Sequence, residues 1–193
     1  MNQYDPKIHH RRSIRLQGYD YSQEGLYFIT LCVQGRKSFF GKIVSSLQLY
    51  DAGKMVETQW LALPGRFPNI RLHEHCVMPN HFHGILEITV GATLVVAQPN
   101  IQPNIQPNIP TSAPTNKTVG DMMDAYKSIT TVEYIHGVKN AGWERFDGKL
   151  WQRDYYEHII RDDEEYERIA NYIINNPDNW LHDKLNPLNP ETK

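Results

Sequence analysis

Hydrophobic positions along the chain recur with two periods, which predict strands where the period is two and helices where it is about 3.6. Four segments rich in apolar, β-branched and aromatic residues predict strands, at 26–34, 71–78, 82–90 and 150–160. Helical spacing predicts three helices, at 51–63, 118–138 and 163–176. The Pro79-Asn80 step between the second and third strands predicts a tight hairpin.

Residues that begin or end helices stand at the edges of these segments. Pairs three residues apart resemble capping signals before the second and third helices, and prolines follow the first and third. These positions are Thr118 with Asp121, Asp162 with Glu165, Pro64, and Pro177.

The resulting order, β-α-β-β-α-β followed by one more helix, predicts the α+β class. It matches the ferredoxin-like arrangement, an antiparallel four-stranded sheet with two helices on one face. The added C-terminal helix then has to pack on the other face or at an edge. We expect one domain over residues 1–180, with a polar tail at 181–193.

A Pro/Asn-rich segment at 98–117 interrupts this pattern. It contains Gln-Pro-Asn-Ile three times, and such a proline-rich repeat favours neither helix nor sheet. We interpret it as an inserted, disordered loop within the single domain.

Composition and charge exclude few classes of function. The formal net charge of -2 favours no partner class, although the first 16 residues carry four basic side chains against one acid. The cysteines, Cys32 and Cys76, lie in apolar runs without CxxC spacing, which indicates buried thiols in a reducing compartment. No apolar run reaches the length of a membrane span, so a cytoplasmic protein without membrane contact is expected.

A histidine pair is the first candidate for chemistry. His81 and His83 flank Phe82 at the start of a predicted strand, so both imidazoles point to one face while Phe82 points to the core. Two imidazoles on one face can bind one metal ion. His73 and His75 form a second pair with the same spacing, and either pair needs a third ligand to make a metal site.

The last helix supplies a tyrosine beside its apolar stripe. Tyr172 and Asn176 are i, i+4 neighbours on one flank, which they share with Glu165. Glu165 is explained as a capping residue. If this flank meets the histidine pair, Asn176 becomes a third metal ligand and Tyr172 a nucleophile beside the ion; otherwise both are ordinary boundary residues.

Three segments, taken together and in order, resemble a known family. They are RRSIRLQGYDYSQEGLYFITLCVQGR (Arg11–Arg36), VMPNHFHGILEI (Val77–Ile88) and LWQRDYYEHIIRDDEEYERIANYIINNPDNW (Leu150–Trp180). They resemble the REP-associated tyrosine transposases and their insertion-sequence relatives, which are single-tyrosine HUH nucleases. Each motif is weak alone, but the ordered set covers most of residues 11–180.

This resemblance implies that His81 and His83 bind a divalent metal, Mg²⁺ or Mn²⁺, and that Tyr172 attacks DNA to form a 5′-phosphotyrosine. Asn176 stands where relatives place a third ligand, often a glutamine, which is longer by one methylene. The implied substrate is single-stranded DNA with a hairpin. Tyr155 and Tyr156 compete with Tyr172 for the nucleophile's role, and we interpret them as structural.

Basic residues near these motifs are candidate phosphate contacts, although each is equally explained as solvated surface. They are Arg11, Arg12, Arg15, Lys127 and Arg153. Two other functions stay open: a replication-initiator or relaxase nickase, and a non-catalytic module that binds hairpins. A ferredoxin-like protein with a stray histidine pair is a third alternative. A homodimer also stays open, since dimeric relatives can place the tyrosine helix against the partner's histidines.

Overall fold

The computed structural model describes residues 18–89 and 117–189. The basic arm with Arg11, Arg12 and Arg15 lies outside the described residues, as does all of the predicted insertion at 98–117 except Lys117.

Six strands and three α-helices form the described part of the chain. Their order is β1 (Gly25–Cys32), β2 (Gly41–Ile43), β3 (Leu47–Leu49), α1 (Asp51–Leu61), β4 (Ile70–Val77), β5 (His81–Ile88), α2 (Val119–Asn140), β6 (Tyr156–Ile160) and α3 (Asp163–Asn175). Short 3₁₀ turns occupy Gln34–Arg36, Leu63–Gly65 and Trp180–His182. No helix in residues 18–89 or 117–189 is long and apolar enough to cross a membrane.

The main sheet confirms the predicted α+β fold. Its four antiparallel strands lie in the order β4-β5-β1-β6, so β1 and β5 are central. The predicted capping box is present before α2, where the Thr118 side chain accepts from Asp121 N and Asp121 accepts from the Thr118 backbone. The Asp162 side chain likewise accepts from Glu165 N before α3.

The two faces of the sheet are covered differently. Helices α1 and α2 pack together over one face, above a large aromatic core that includes Trp60, Phe82 and Tyr126. Helix α3 lies on the opposite face and buries Ile169, Ala170 and Ile173 over a smaller apolar cluster. The added helix therefore covers the face of the sheet that the ferredoxin-like arrangement leaves open.

Two parts of the fold differ from the sequence prediction. The β2-β3 hairpin was not predicted, because strands of three residues are too short to show alternation. The strand predicted at 150–160 is regular only from Tyr156. Trp151, before it, makes an isolated bridge to Val33 and donates its indole N–H to Thr130 Oγ1 at 2.8 Å. The Trp151 side chain packs in the core beneath α2 and does not belong to a continuous strand.

Candidate metal and tyrosine site

The histidine pair begins β5, and pairing with β1 sets where both side chains point. His81 lies opposite Cys32 and His83 opposite Thr30, and the contact of His83 with Tyr172 places this face of the strand against α3. Phe82 points to the other face, where its ring lies 4.7 Å from that of Trp60. The two imidazole rings are 4.5 Å apart between centroids, and both are almost fully buried. The predicted alternation is therefore present, with both histidines on the face of the last helix.

Hydrogen bonds hold each imidazole through its Nδ1 atom. Asn80 Oδ1 accepts from His81 at 2.8 Å, and Thr30 Oγ1 lies 2.8 Å from His83 Nδ1. Nε2 is then the atom of each ring that could bind a metal ion. Burial lowers the pKa of His83 to about 3, and burial together with His83 lowers the pKa of His81 well below its usual value. Neutral imidazoles are the form that binds metal.

Tyr172 of α3 meets the pair in the same chain. Its hydroxyl lies 3.3 Å from His83 Nε2, and the two rings meet edge-on at 5.2 Å. The side chain is 46% exposed, so this tyrosine can be reached from solvent. Burial of part of the phenol and the nearby Asp183 carboxylate raise the Tyr172 pKa, whereas the Asn176 amide lowers it. The phenol is therefore protonated at neutral pH, and attack requires that it lose its proton.

Three buried polar atoms beside Tyr172 have no hydrogen-bond partner among the described residues. They are His81 Nε2, Asn176 Oδ1 and Asp183 Oδ2. His81 Nε2 lies 3.6 Å from Asp183 Oδ2, and the donor atoms of His81, His83 and Asp183 all lie within 4.8 Å of one another. Buried polar atoms without partners are costly, so their presence together fits a cation-binding site. Two imidazoles with carboxylate and amide oxygens form a donor set suited to a divalent ion.

Asp183 is the site residue that the sequence did not predict. It follows the 3₁₀ turn after α3, and its side chain is almost fully buried. Its Oδ1 accepts from Leu185 N at 2.6 Å, and its carbonyl accepts from Asn189 Nδ2 at 3.1 Å. The sequence interpretation assigned 181–193 to a tail because it is polar and Pro/Asn-rich. Side-chain hydrogen bonds from Asn80 to the Leu185 carbonyl and from Arg36 to the Lys184 carbonyl, rather than an apolar pattern, hold this segment against the domain.

The second histidine pair and two of the candidate phosphate contacts lie in different parts of the fold. His73 and His75, the second histidine pair, do not join the metal cluster within the described chain, and His73 instead lies 2.9 Å from Glu87. Lys127 is half-buried and donates to the Arg153 carbonyl at 2.7 Å, while the Arg153 side chain is exposed. Both line a groove of about 440 Å³.

Tyr155 and Tyr156, the alternative nucleophiles, lie in different surroundings. Tyr155 packs against the aromatic core. Tyr156 is 42% exposed and lies on the α3 face, with its ring 6.0 Å from Phe28. Phe28 in turn lies between β6 and the site, 5.4 Å from the His83 ring. A tyrosine hydroxyl bonded to the histidine pair is present only at Tyr172 in the described residues.

Comparison with known proteins gives a relative in sequence and a solved structure with a similar fold. No family profile matches the chain. An uncharacterized protein of Haemophilus influenzae is 40% identical over 183 residues, which cover 94% of this chain and 96% of that protein. The solved structure of a REP-associated tyrosine transposase bound to a REP hairpin matches 93% of this chain and 74% of that chain, with a TM-score of 0.50 and 17% identity. At that identity the likeness shows a shared fold.

Proposed function

This chain belongs to the same protein family as the Haemophilus influenzae protein and shares the fold of a tyrosine transposase, and from that premise we propose that it is a metal-dependent, single-tyrosine HUH nuclease. It would cut and rejoin single-stranded DNA, as a transposase does. One observation carries this proposal: the Tyr172 hydroxyl lies 3.3 Å from His83 Nε2, at the edge of a cluster of buried donors without partners.

Four side chains would hold the divalent ion, Mg²⁺ or Mn²⁺. His81, His83 and Asp183 bring their donor atoms together, and the unpartnered Asn176 amide oxygen is buried beside them. When bound, such an ion polarises the scissile phosphate and helps to orient it for in-line attack. Asn80 and Thr30 fix the histidine rings through Nδ1, as outer partners of metal-binding histidines commonly do.

Tyr172 is the proposed nucleophile. Its Oη attacks phosphorus, the bond from phosphorus to the 3′ oxygen breaks, and a 5′-phosphotyrosine forms. The phenolic proton passes to water at the exposed side of the ring, and the released 3′ oxygen takes up a proton. The energy of the phosphodiester is retained in the tyrosyl ester, so rejoining by the reverse attack needs no nucleotide hydrolysis. The sequence accordingly contains no GxxxxGK loop.

Single-stranded DNA that carries a hairpin is the proposed substrate. The solved transposase of the same fold is bound to a REP hairpin, and the sequence resemblance points to the same class of ligand. The exposed Arg153 side chain and the basic arm are the proposed phosphate contacts. Lys127 is a weaker candidate since its ammonium group is already bonded to a backbone carbonyl.

A covalent-adduct assay tests this function. The protein is incubated with Mn²⁺ and end-labelled single strands that contain hairpins, and a denaturing gel shows any DNA joined to protein. We expect an adduct with the wild type and with Tyr156→Phe, the matched tyrosine control, and none with Tyr172→Phe. An adduct that survives Tyr172→Phe would contradict the assignment of the nucleophile.

Two other outcomes separate the alternatives. Tight hairpin binding without an adduct on any strand would favour the non-catalytic module. An adduct that never passes its DNA to a second labelled strand would favour a nickase over a strand transferase.

A further inference from the structure

Arg36 has an unusual backbone conformation close to the candidate site. Its φ is 54°, the only positive φ at a non-glycine residue among those that the structure describes. L-residues with a large side chain rarely adopt this region, and residues held there often lie at functional sites. Arg36 ends the 3₁₀ turn that follows β1, and its side chain is exposed.

One buried side chain links this conformation to the histidine pair. Asn80, which is 1% exposed, donates through Nδ2 to the Arg36 carbonyl at 3.1 Å and to the Leu185 carbonyl at 2.8 Å. Its Oδ1 accepts from His81 Nδ1 at 2.8 Å. A single amide therefore sets the backbone of Arg36, the segment that carries Asp183, and the orientation of His81.

The Arg36 side chain extends toward the same segment. Its Nη1 donates to the Lys184 carbonyl at 3.1 Å, so the guanidinium lies beside the residue that follows Asp183. Burial raises the pKa of the Cys32 thiol to about 11, and the nearby Arg36 charge opposes that rise. No carboxylate in residues 18–89 or 117–189 forms an ion pair with it. Most of its five N–H donors are thus available to a ligand.

We propose that the Arg36 guanidinium binds the two non-bridging oxygens of the scissile phosphate and is a further catalytic residue; this rests on the function proposed above. Its planar pair of donors matches two phosphate oxygens, and its charge opposes the negative charge that the phosphoryl group carries during transfer. Arg36 forms no covalent bond and transfers no proton in this role.

A purely structural role makes a different prediction. If Arg36 only formed the tight turn through its positive φ, Arg36→Gly would retain full activity, because glycine adopts a positive φ without strain. The variant Arg36→Gly therefore separates the two roles. We expect its thermal midpoint to equal or exceed that of the wild type, while its activity falls.

Single-turnover adduct formation with a hairpin-bearing oligonucleotide and Mn²⁺ is the first test. Removing one donor that stabilises transition-state charge commonly costs about 10²–10³-fold in rate, and we expect a loss in that range for Arg36→Ala and Arg36→Gly. Arg36→Lys retains the charge without the planar fork, so its rate should lie between the rates of those two variants and the rate of the wild type. Arg66→Ala, at the opposite end of the sheet, is the matched control. Added guanidinium ion should restore part of the Arg36→Gly rate.

The salt dependence of DNA binding gives a second reading that does not require cleavage. In a Tyr172→Phe background, Arg36→Ala should reduce the slope of log Kd against log salt by about 0.7, the value for one phosphate contact on a single strand. A smaller slope, together with no adduct from the protein that retains Tyr172, would support the phosphate contact of Arg36 and contradict the proposed nuclease activity. Wild-type rate and wild-type slope in Arg36→Ala would overturn the role of Arg36.

Discussion

The two faces of the central sheet are built from the same strands but by different means. The face under α1 and α2 is covered by a large core in which the rings of Trp60, Phe82 and Tyr126 contact one another. The face under α3 has six buried residues in its apolar cluster and, beside them, the buried imidazoles of His81 and His83. Since adjacent strand residues point to opposite faces, Phe82 belongs to the first face and its two neighbours to the second.

Polar contacts at both edges of the sheet supplement the small apolar area under α3. At the β4 edge, the Tyr166 hydroxyl donates to Glu74 Oε2 at 2.7 Å, and this bond is the main reason that the Tyr166 pKa rises to about 12. At the β6 edge, Glu165 lies 2.7 Å from His158 Nε2. Hydrogen bonds are directional, so they set the rotation of the helix more sharply than apolar contact does. The first face therefore supplies stability, and the second positions Tyr172.

The largest effect on stability is expected on the first face. Phe82→Ala removes a fully buried ring between the two histidines and should lower the free energy of unfolding by about 3–5 kcal/mol. Urea denaturation measures this change. Val132→Ala, on the exposed side of α2, is the control. A loss below about 1 kcal/mol would mean that the two faces do not differ as described.

A substitution in the second face should change stability and metal binding in opposite directions. Asp183→Asn removes a buried negative charge whose Oδ2 has no hydrogen-bond partner, so the metal-free protein should gain about 1–3 kcal/mol. The same change should weaken Mn²⁺ binding at least about 100-fold, the upper end of what loss of an outer partner costs. Thermal unfolding in a chelator and calorimetric titration measure the two effects. Unchanged Mn²⁺ affinity would remove Asp183 from the ligand set, and Asp178→Asn is the exposed control.

The smallest effect concerns the polar contacts of α3. Tyr166→Phe deletes the hydroxyl that contacts Glu74 and should cost about 1 kcal/mol. Amide hydrogen exchange should accelerate in α3 but not in α2, because the contact joins α3 to β4. Tyr19→Phe, which deletes a tyrosine hydroxyl bond to Tyr27 away from α3, should leave α3 unchanged. Equal acceleration in both helices would show that the Tyr166 contact supports the whole fold instead.

The local pattern of the sequence was enough to predict the α+β order, the capping residues and the opposite orientations of Phe82 and its histidine neighbours. These properties depend on residues close together in the chain, where periodicity and capping chemistry act. The pattern also placed Tyr172 and Asn176 on one flank of the last helix. It could not show that this flank faces the histidines, since that depends on which face of the sheet α3 covers.

Only the tertiary structure brought Asp183 and Arg36 to the site. Asp183 lies in a polar segment whose order comes from side-chain hydrogen bonds, and such bonds leave no hydrophobic period in the sequence. Arg36 lies 44 positions before Asn80, and their contact exists because β1 and β5 pair in the sheet. Local periodicity determines which way a strand residue points, whereas long-range pairing determines what it meets there.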